Sequence, residues 1–247
     1  MRAVILAAGR GSRMGNLTAD RPKCLVELGG RPLIEWQLDA LRKAGVDEVA
    51  IVRGYRGERL APYGMHHFDN PRWAETNMVV SLTAAEAWLS KSACIVSYAD
   101  IVYGASTVRA ISDMSTAPIA ISYDPDWLWL WRQRFPDPLS DAESFRIAEG
   151  WVTDIGRRVQ RLDEIEGQYM GLLRFEPAGW RAVREHLARQ SAEAVNRLDM
   201  TSLLRALIEA GVTIRAIATP SRWGEVDSVG DLELYERLLA TGAWRPE

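Results

Sequence analysis

Strand-length apolar runs alternate with helical patterns along the first part of the chain. The run over 3–7 has no polar interruption, as in a central strand whose two faces are both covered by helices. Behind Pro32, the residues Ile34, Leu38 and Leu41 recur at three-to-four spacing and stop at Gly45, which predicts a helix over 33–44. Further strands are predicted over 48–52 and 93–98, with a helix over 81–89 between them. Such alternation predicts βαβ units and a mostly parallel sheet.

Between 124 and 168 the pattern changes. Trp127, Trp129 and Trp131 alternate, Pro125, Pro136 and Pro138 interrupt, and charged residues crowd 140–149, so the stretch reads as an insertion of loops and short strands over the sheet. Regular patterning returns with a strand near 169–175, helices near 179–189 and 200–210, and a strand over 213–218. A last helix follows Ser228, with Leu232, Tyr235, Leu238 and Leu239 on one face, and Ser228 and Asp231 have capping-box spacing. No repeat or flexible linker divides the chain, so a single domain over 1–247 is expected.

Composition narrows the function. A net charge of −3 gives no global basic field, so nucleic acid is not expected as a partner. The longest apolar runs fall far below the roughly 20 residues of a membrane span, and the first ends at Gly9-Arg10 without a cleavage site. With Cys24 and Cys94 as its two cysteines and no C-x-x-C pair, the chain is expected to carry reduced thiols in the cytoplasm. Of thirty basic residues only Lys23, Lys43 and Lys91 are lysines, so the place of each matters.

The most informative stretch is Leu6-Ala-Ala-Gly-Arg-Gly-Ser-Arg13-Met-Gly15, followed by Arg21-Pro-Lys23. A strand that ends in small residues and glycines lets backbone N–H groups approach a phosphate. Gly9-x-Gly11 alone is a weak dinucleotide fingerprint: Met14 stands where a third glycine belongs, and Pro22-Lys23 interrupts the expected helix. The Gly-Lys-Ser/Thr ending of a P-loop is also missing. Two carboxylates complete the picture. Asp100 ends the apolar strand that closes with Ser97-Tyr-Ala, where ligands of open α/β sheets sit, and Asp227 lies in Trp223-Gly-Glu-Val-Asp just before the last helix.

The glycine-rich stretch with Arg-Pro-Lys resembles the signature of sugar-phosphate and head-group nucleotidyltransferases. The resemblance implies a Rossmann-like three-layer αβα nucleotidyltransferase fold. It also implies that Leu6, Ala7, Ala8, Gly9 and Gly11 wrap a nucleoside triphosphate, with Ala99 beside it, while Arg13 and Lys23 contact its phosphates. Asn77 and Ser81 would lie near base and sugar, and Asp100 and Asp227 would be Mg²⁺ ligands. Ala99 replaces the glycine common before that first aspartate and keeps the position small.

Asp137 to Glu143, Asp154-Ile-Gly and Glu164 to Gly171 narrow the resemblance to the phosphocholine and 2-aminoethylphosphonate cytidylyltransferases. On that reading the enzyme transfers CMP from CTP to a small phosphonate or phosphomonoester and releases pyrophosphate. Asp141, Glu143 or Glu166 would pair with an ammonium, and Trp129, Trp131, Tyr169 or Trp223 would cover a quaternary ammonium. The carboxylates favour a primary amine such as 2-aminoethylphosphonate, while Arg132, Arg134 and Arg146 would meet the acceptor's phosphonate or a carboxylate. His66, His67 and His186 lie outside every motif. A phosphocholine acceptor, a sugar-1-phosphate nucleotidyltransferase and a non-catalytic nucleotide-binding subunit stay open as alternatives, as does a homodimer.

Overall fold

The computed structural model describes residues 1–113 and 117–246. Nine strands build one sheet: β1 (Arg2–Ala7), β2 (Glu48–Arg53), β3 (His66–Asp69), β4 (Cys94–Tyr98), β5 (Ile119–Asp124), β6 (Glu143–Ala148), β7 (Trp151–Arg158), β8 (Gln168–Phe175) and β9 (Ile214–Ala218). Their order across the sheet is β3-β2-β1-β4-β8-β5-β9-β7-β6. Only β7 and β8 run against the other seven strands, so the sheet is mixed and mostly parallel, as the sequence predicts.

Among the described residues nine helices cover the two faces: α1 (Leu33–Lys43), α2 (Met78–Thr83), α3 (Glu86–Leu89), α4 (Ala105–Ser112), α5 (Trp127–Arg134), α6 (Pro177–Leu187), α7 (Ala192–Arg197), α8 (Met200–Glu209) and α9 (Val229–Thr241). The unbroken apolar run of β1 explains the layering. Ala3, Ile5 and Ala7 enter a core shared with α1, α4, α5 and α9, while Val4, Leu6 and Ala8 enter a second core under α2, α3, α6 and α8. A central strand with period-two side chains therefore needs to be apolar at every position. No helix among the described residues is long and apolar enough to cross a membrane.

Several expectations are revised. The alternating tryptophans form α5, not a strand: Trp127, Leu130 and Trp131 are buried at helical spacing, and the apolar residues between them mask that period. The Asp124 carboxylate accepts the Asp126 N–H at 2.8 Å and opens the turn into this helix. The remainder of the insertion does not lie over the sheet, because β6 and β7 pair as a hairpin and extend its edge. The helix expected over 81–89 is two helices, α2 and α3, and begins at Met78 behind an Asn77 cap. Helix α4 and strand β5 went unread in the sequence. The capping box at Ser228 and Asp231 forms as its spacing predicts.

Candidate functional site

Strand β1 delivers its C-terminal end to a glycine-rich turn. Gly11 adopts φ +72, which only glycine takes readily, and the chain then enters a 3₁₀ run over Ser12–Thr18. Thr18 Oγ1 donates to the Gly11 carbonyl at 3.1 Å and closes the turn. A second short 3₁₀ turn behind Pro22 carries Lys23 back beneath Gly11.

Lys23 is buried, and its Nζ donates to Asp100 Oδ2 at 2.7 Å and to Asp227 Oδ1 at 2.5 Å. Burial works against its charge, but the two carboxylates outweigh it and hold the ammonium above its ordinary pKa. Arg13 pairs with the other oxygen of Asp227.

A two-strand ribbon brings these carboxylates together. Ile101–Val102 pairs antiparallel with Gly224–Glu225, and the Val226 N–H donates to the Asp100 carbonyl at 2.9 Å. Buried Gln37 braces the Asp100 turn from α1, donating to the Tyr98 carbonyl at 3.0 Å and the Ile101 carbonyl at 2.7 Å.

Two cavities meet at this cluster. One, of about 330 Å³, is lined by Leu6, Ala7, Ala8, Gly9, Gly11, Asn77, Ser81 and Ala99, together with Arg13, Lys23, Asp100 and Asp227. These are all the positions that the resemblance assigns to nucleotide, phosphate or metal. Asn77 and Ser81 form its wall with their polar groups already engaged. The Asn77 amide donates to the Arg197 carbonyl at 3.2 Å while its Oδ1 accepts the Met78 N–H, and Ser81 Oγ accepts from Asn70.

The second cavity, of about 360 Å³, shares Arg13, Asp100 and Asp227 with the first. Asp141, Glu143, Tyr169 and Trp223 line it, with Asp199 and Glu225 beside them. Burial pushes the Asp141 and Glu143 carboxyls upward, and raises Glu225 to about 7 against the pull of Arg134. Trp131 Nε1 donates to Asp141 Oδ2 at 3.2 Å, and buried Trp223 donates to Asp124 at 2.9 Å.

Among the described residues no group of three or more His, Cys, Asp and Glu side chains gathers as a metal cage. Asp100 Oδ1, however, is buried without a hydrogen-bond partner beside the Asp227 carboxylate. One orphaned oxygen and a second carboxylate suit a hard cation that draws the rest of its shell from water and substrate oxygens.

Residues 3–144 match the MobA-like NTP transferase domain family. The chain belongs to this family. Over its length the transferase is similar to the CTP:phosphoglutamine cytidylyltransferase of Campylobacter jejuni, with 35% identity over 250 residues, 95% of this chain and 98% of the relative. Shorter stretches, also 35% identical, match the choline-phosphate cytidylyltransferase of Streptococcus pneumoniae over 37% of this chain and 42% of the relative. The 2-aminoethylphosphonate cytidylyltransferase of Lancefieldella rimae matches likewise over 40% and 43%. In fold, the inositol-1-phosphate CTP transferase of T. maritima superposes with a TM-score of 0.74 at 20% identity, covering 96% of this chain and 95% of that one. The protein is thus a nucleotidyltransferase with the Rossmann-like fold that its glycine-rich signature implies.

Five sequence-derived placements in the transferase are corrected. Glu166 is exposed outside both cavities and accepts the Ile147 N–H at 2.6 Å, tying the β6 hairpin to the loop before β8. Arg132 is exposed on α5, and Arg146 pairs with Glu166 on the surface. Arg134 is buried beneath the second cavity and pairs with Glu225 and Asp231. Trp129 lies under the Arg222 guanidinium, 4.2 Å from the ring centroid, away from the cavity lining.

Trp73, Thr76 and Met78 in the first cavity and Asp199 and Thr201 in the second escaped the sequence reading. Asp199 had a signal, since an Asp ahead of the apolar Met200–Glu209 stretch is an N-cap pattern and the Asp199 carboxylate does accept the Ser202 N–H at 2.7 Å. Trp73 had none.

Proposed function

We propose that this nucleotidyltransferase transfers CMP from CTP to a small phosphonate or phosphomonoester that carries a protonated primary amine, releasing pyrophosphate. The observation that carries the reading is the acidic second cavity. Asp141, Glu143, Asp199 and Glu225 line it, and among the described residues Arg13, shared with the glycine-loop cavity, is its one cationic lining residue. An ammonium is attracted to such a wall, and three N–H donors match carboxylate and carbonyl acceptors.

The phosphoryl end of the acceptor would then face the shared edge formed by Arg13, Asp100 and Asp227. There its oxygen attacks the α-phosphorus of CTP in line. One oxygen–phosphorus bond forms, the bond to the pyrophosphate oxygen breaks, and pyrophosphate leaves with the electron pair. The attacking oxygen is already anionic, so the step needs no general base, and none of the three histidines lines either cavity.

Asp100 and Asp227 are the residues that would hold Mg²⁺, which supplies charge neutralisation at the phosphates when bound. Lys23 keeps one ammonium proton beyond those given to the carboxylates, and that donor together with the Arg13 guanidinium is available to the phosphate oxygens.

Two named acceptors fit the amine requirement: 2-aminoethylphosphonate, and phosphorylated glutamine, which has no hydroxyl to esterify and would extend the acceptor class beyond phosphomonoesters but is supported by the full-length similarity to the Campylobacter jejuni relative. The rings of Tyr98, Trp131, Tyr169 and Trp223 in the same wall favour phosphocholine as a second reading, through cation–π contact.

Pyrophosphate release with Mg²⁺ and CTP tests the proposal. The acceptors are 2-aminoethylphosphonate, phosphorylated glutamine, phosphoethanolamine and phosphocholine, with UTP, ATP and hexose 1-phosphates as controls. The expected outcome is turnover with CTP and a primary-amine acceptor. Faster turnover with phosphocholine selects the second reading, and turnover only with a hexose 1-phosphate overturns both.

A further inference from the structure

Arg134 ends helix α5 with its side chain 2% exposed, beneath the second cavity. It is not isolated there. Its Nη1 donates to Glu225 Oε2 at 3.1 Å, and its Nε and Nη2 donate to the two oxygens of Asp231 at 2.8 and 3.3 Å. Asp231 in turn accepts the N–H groups of Asp227 and Ser228 at 3.1 and 2.9 Å. Both arms of one guanidinium therefore end in the site: one on a carboxylate of the acidic cavity, the other on the backbone that carries Asp227.

Burying a guanidinium is costly unless its charge and donors are met. Here Glu225 and Asp231 meet them, and a planar fork makes both contacts at fixed mutual geometry in a way that a lysine cannot. The same helix presents Trp131 to Asp141, so α5 reaches the second cavity at two points.

We infer that Arg134 is a positioning residue, fixing the Glu225 carboxylate and the Asp227 backbone in one register so that amine recognition and phosphate chemistry are set at a constant separation. This rests on the acceptor reading above. It makes α5, the tryptophan-rich helix of the insertion, the element through which acceptor recognition is tied to the reacting end of the site.

The test separates the two arms. Steady-state kinetics with CTP and the best acceptor are combined with amide hydrogen exchange across 225–228 of the nucleotide-free and metal-free protein. Glu225→Gln is expected to raise the acceptor KM about tenfold while exchange at Asp227 and Ser228 stays as in the wild type. Asp231→Asn is expected to speed exchange at those amides and lower kcat, with acceptor KM near the wild-type value. Arg134→Lys should do both and leave the KM for CTP unchanged, because Arg134 does not line the first cavity.

Arg134→Lys with wild-type acceptor KM and wild-type exchange overturns the inference, as does a parallel loss in every constant including the KM for CTP. Should that variant not fold, Glu225→Gln and Asp231→Asn carry the same test, and effects that fail to separate between them overturn it. A wild type silent with every acceptor overturns the cytidylyltransferase reading and this inference with it. An active wild type beside an unaffected Arg134→Lys overturns the inference alone.

Discussion

Gly11 and Lys23 occupy adjoining space so closely that a Cβ on Gly11 would stand 2.6 Å from Lys23 Cδ. The glycine is needed twice over, for φ +72 and for the lysine stem that passes beneath it. Gly11→Ala is therefore expected to cost about 1–2 kcal/mol from backbone conformation and to push Lys23 off its carboxylates. A lowered melting temperature with turnover reduced tenfold or more, on the order of 1.4 kcal/mol or above in activation free energy, is the expected pair of results. Undiminished pyrophosphate release would separate the turn from the chemistry.

Lys23 stands between Asp100 and Asp227, and its positive charge offsets their mutual repulsion. Replacement by methionine keeps the stem and removes the charge, leaving two carboxylates to repel each other. Turnover is expected to fall by about 10²–10³, as for the loss of one oxyanion donor. Mg²⁺ without nucleotide should raise the melting temperature of Lys23→Met more than that of the wild type, because the cation then has no ammonium to displace. Equal shifts in both proteins would count against Asp100 and Asp227 as a cation site.

Glu143 is a carboxylate of the second cavity held at a cost in stability. Burial raises its pKa above the ordinary 4.5, while a hydrogen bond from Thr201 opposes the shift. A carboxyl whose folded pKa lies above its unfolded value binds more protons when folded. Stability is therefore greatest below the unfolded pKa, declines as pH rises to the folded one, and stays lower beyond it. Glu143→Gln is expected to melt higher than the wild type at pH 7.5, with the gap narrowing toward pH 4, and to weaken acceptor KM. A gap independent of pH would refute the assignment.

Cys24 and Cys94 are both buried. Burial pushes the Cys24 thiol up to about 12 and raises Cys94 as well, so neither supplies thiolate near neutrality. Ellman's reagent at pH 8 is expected to find no reactive thiol in the native protein and two per chain after unfolding. Rapid labelling of the native protein would show that the wall of the first cavity, which Cys24 helps to line, opens in solution.

The sequence by itself determined the class of fold and one side of the site. Its first apolar run had to be a strand covered on both faces, and the small residues and glycines that follow it through Gly11 marked where that strand ended, because such signals depend only on neighbouring residues. It also named both carboxylates, though not what sets them side by side.

Tertiary structure decided the rest. Asp227 reaches Asp100 only because Gly224–Glu225 pairs with Ile101–Val102, and pairing between distant segments leaves no periodic trace in the chain. The acidic residues of the insertion looked equivalent as sequence, yet Asp141 and Glu143 line the second cavity while Glu166 turns outward to the Ile147 N–H. Arg134 looked like an anion-binding side chain and proved to be the buried tie between Glu225 and Asp231. Side-chain direction and burial follow from what packs on every side, which is a property of the assembled sheet and helices rather than of any local stretch.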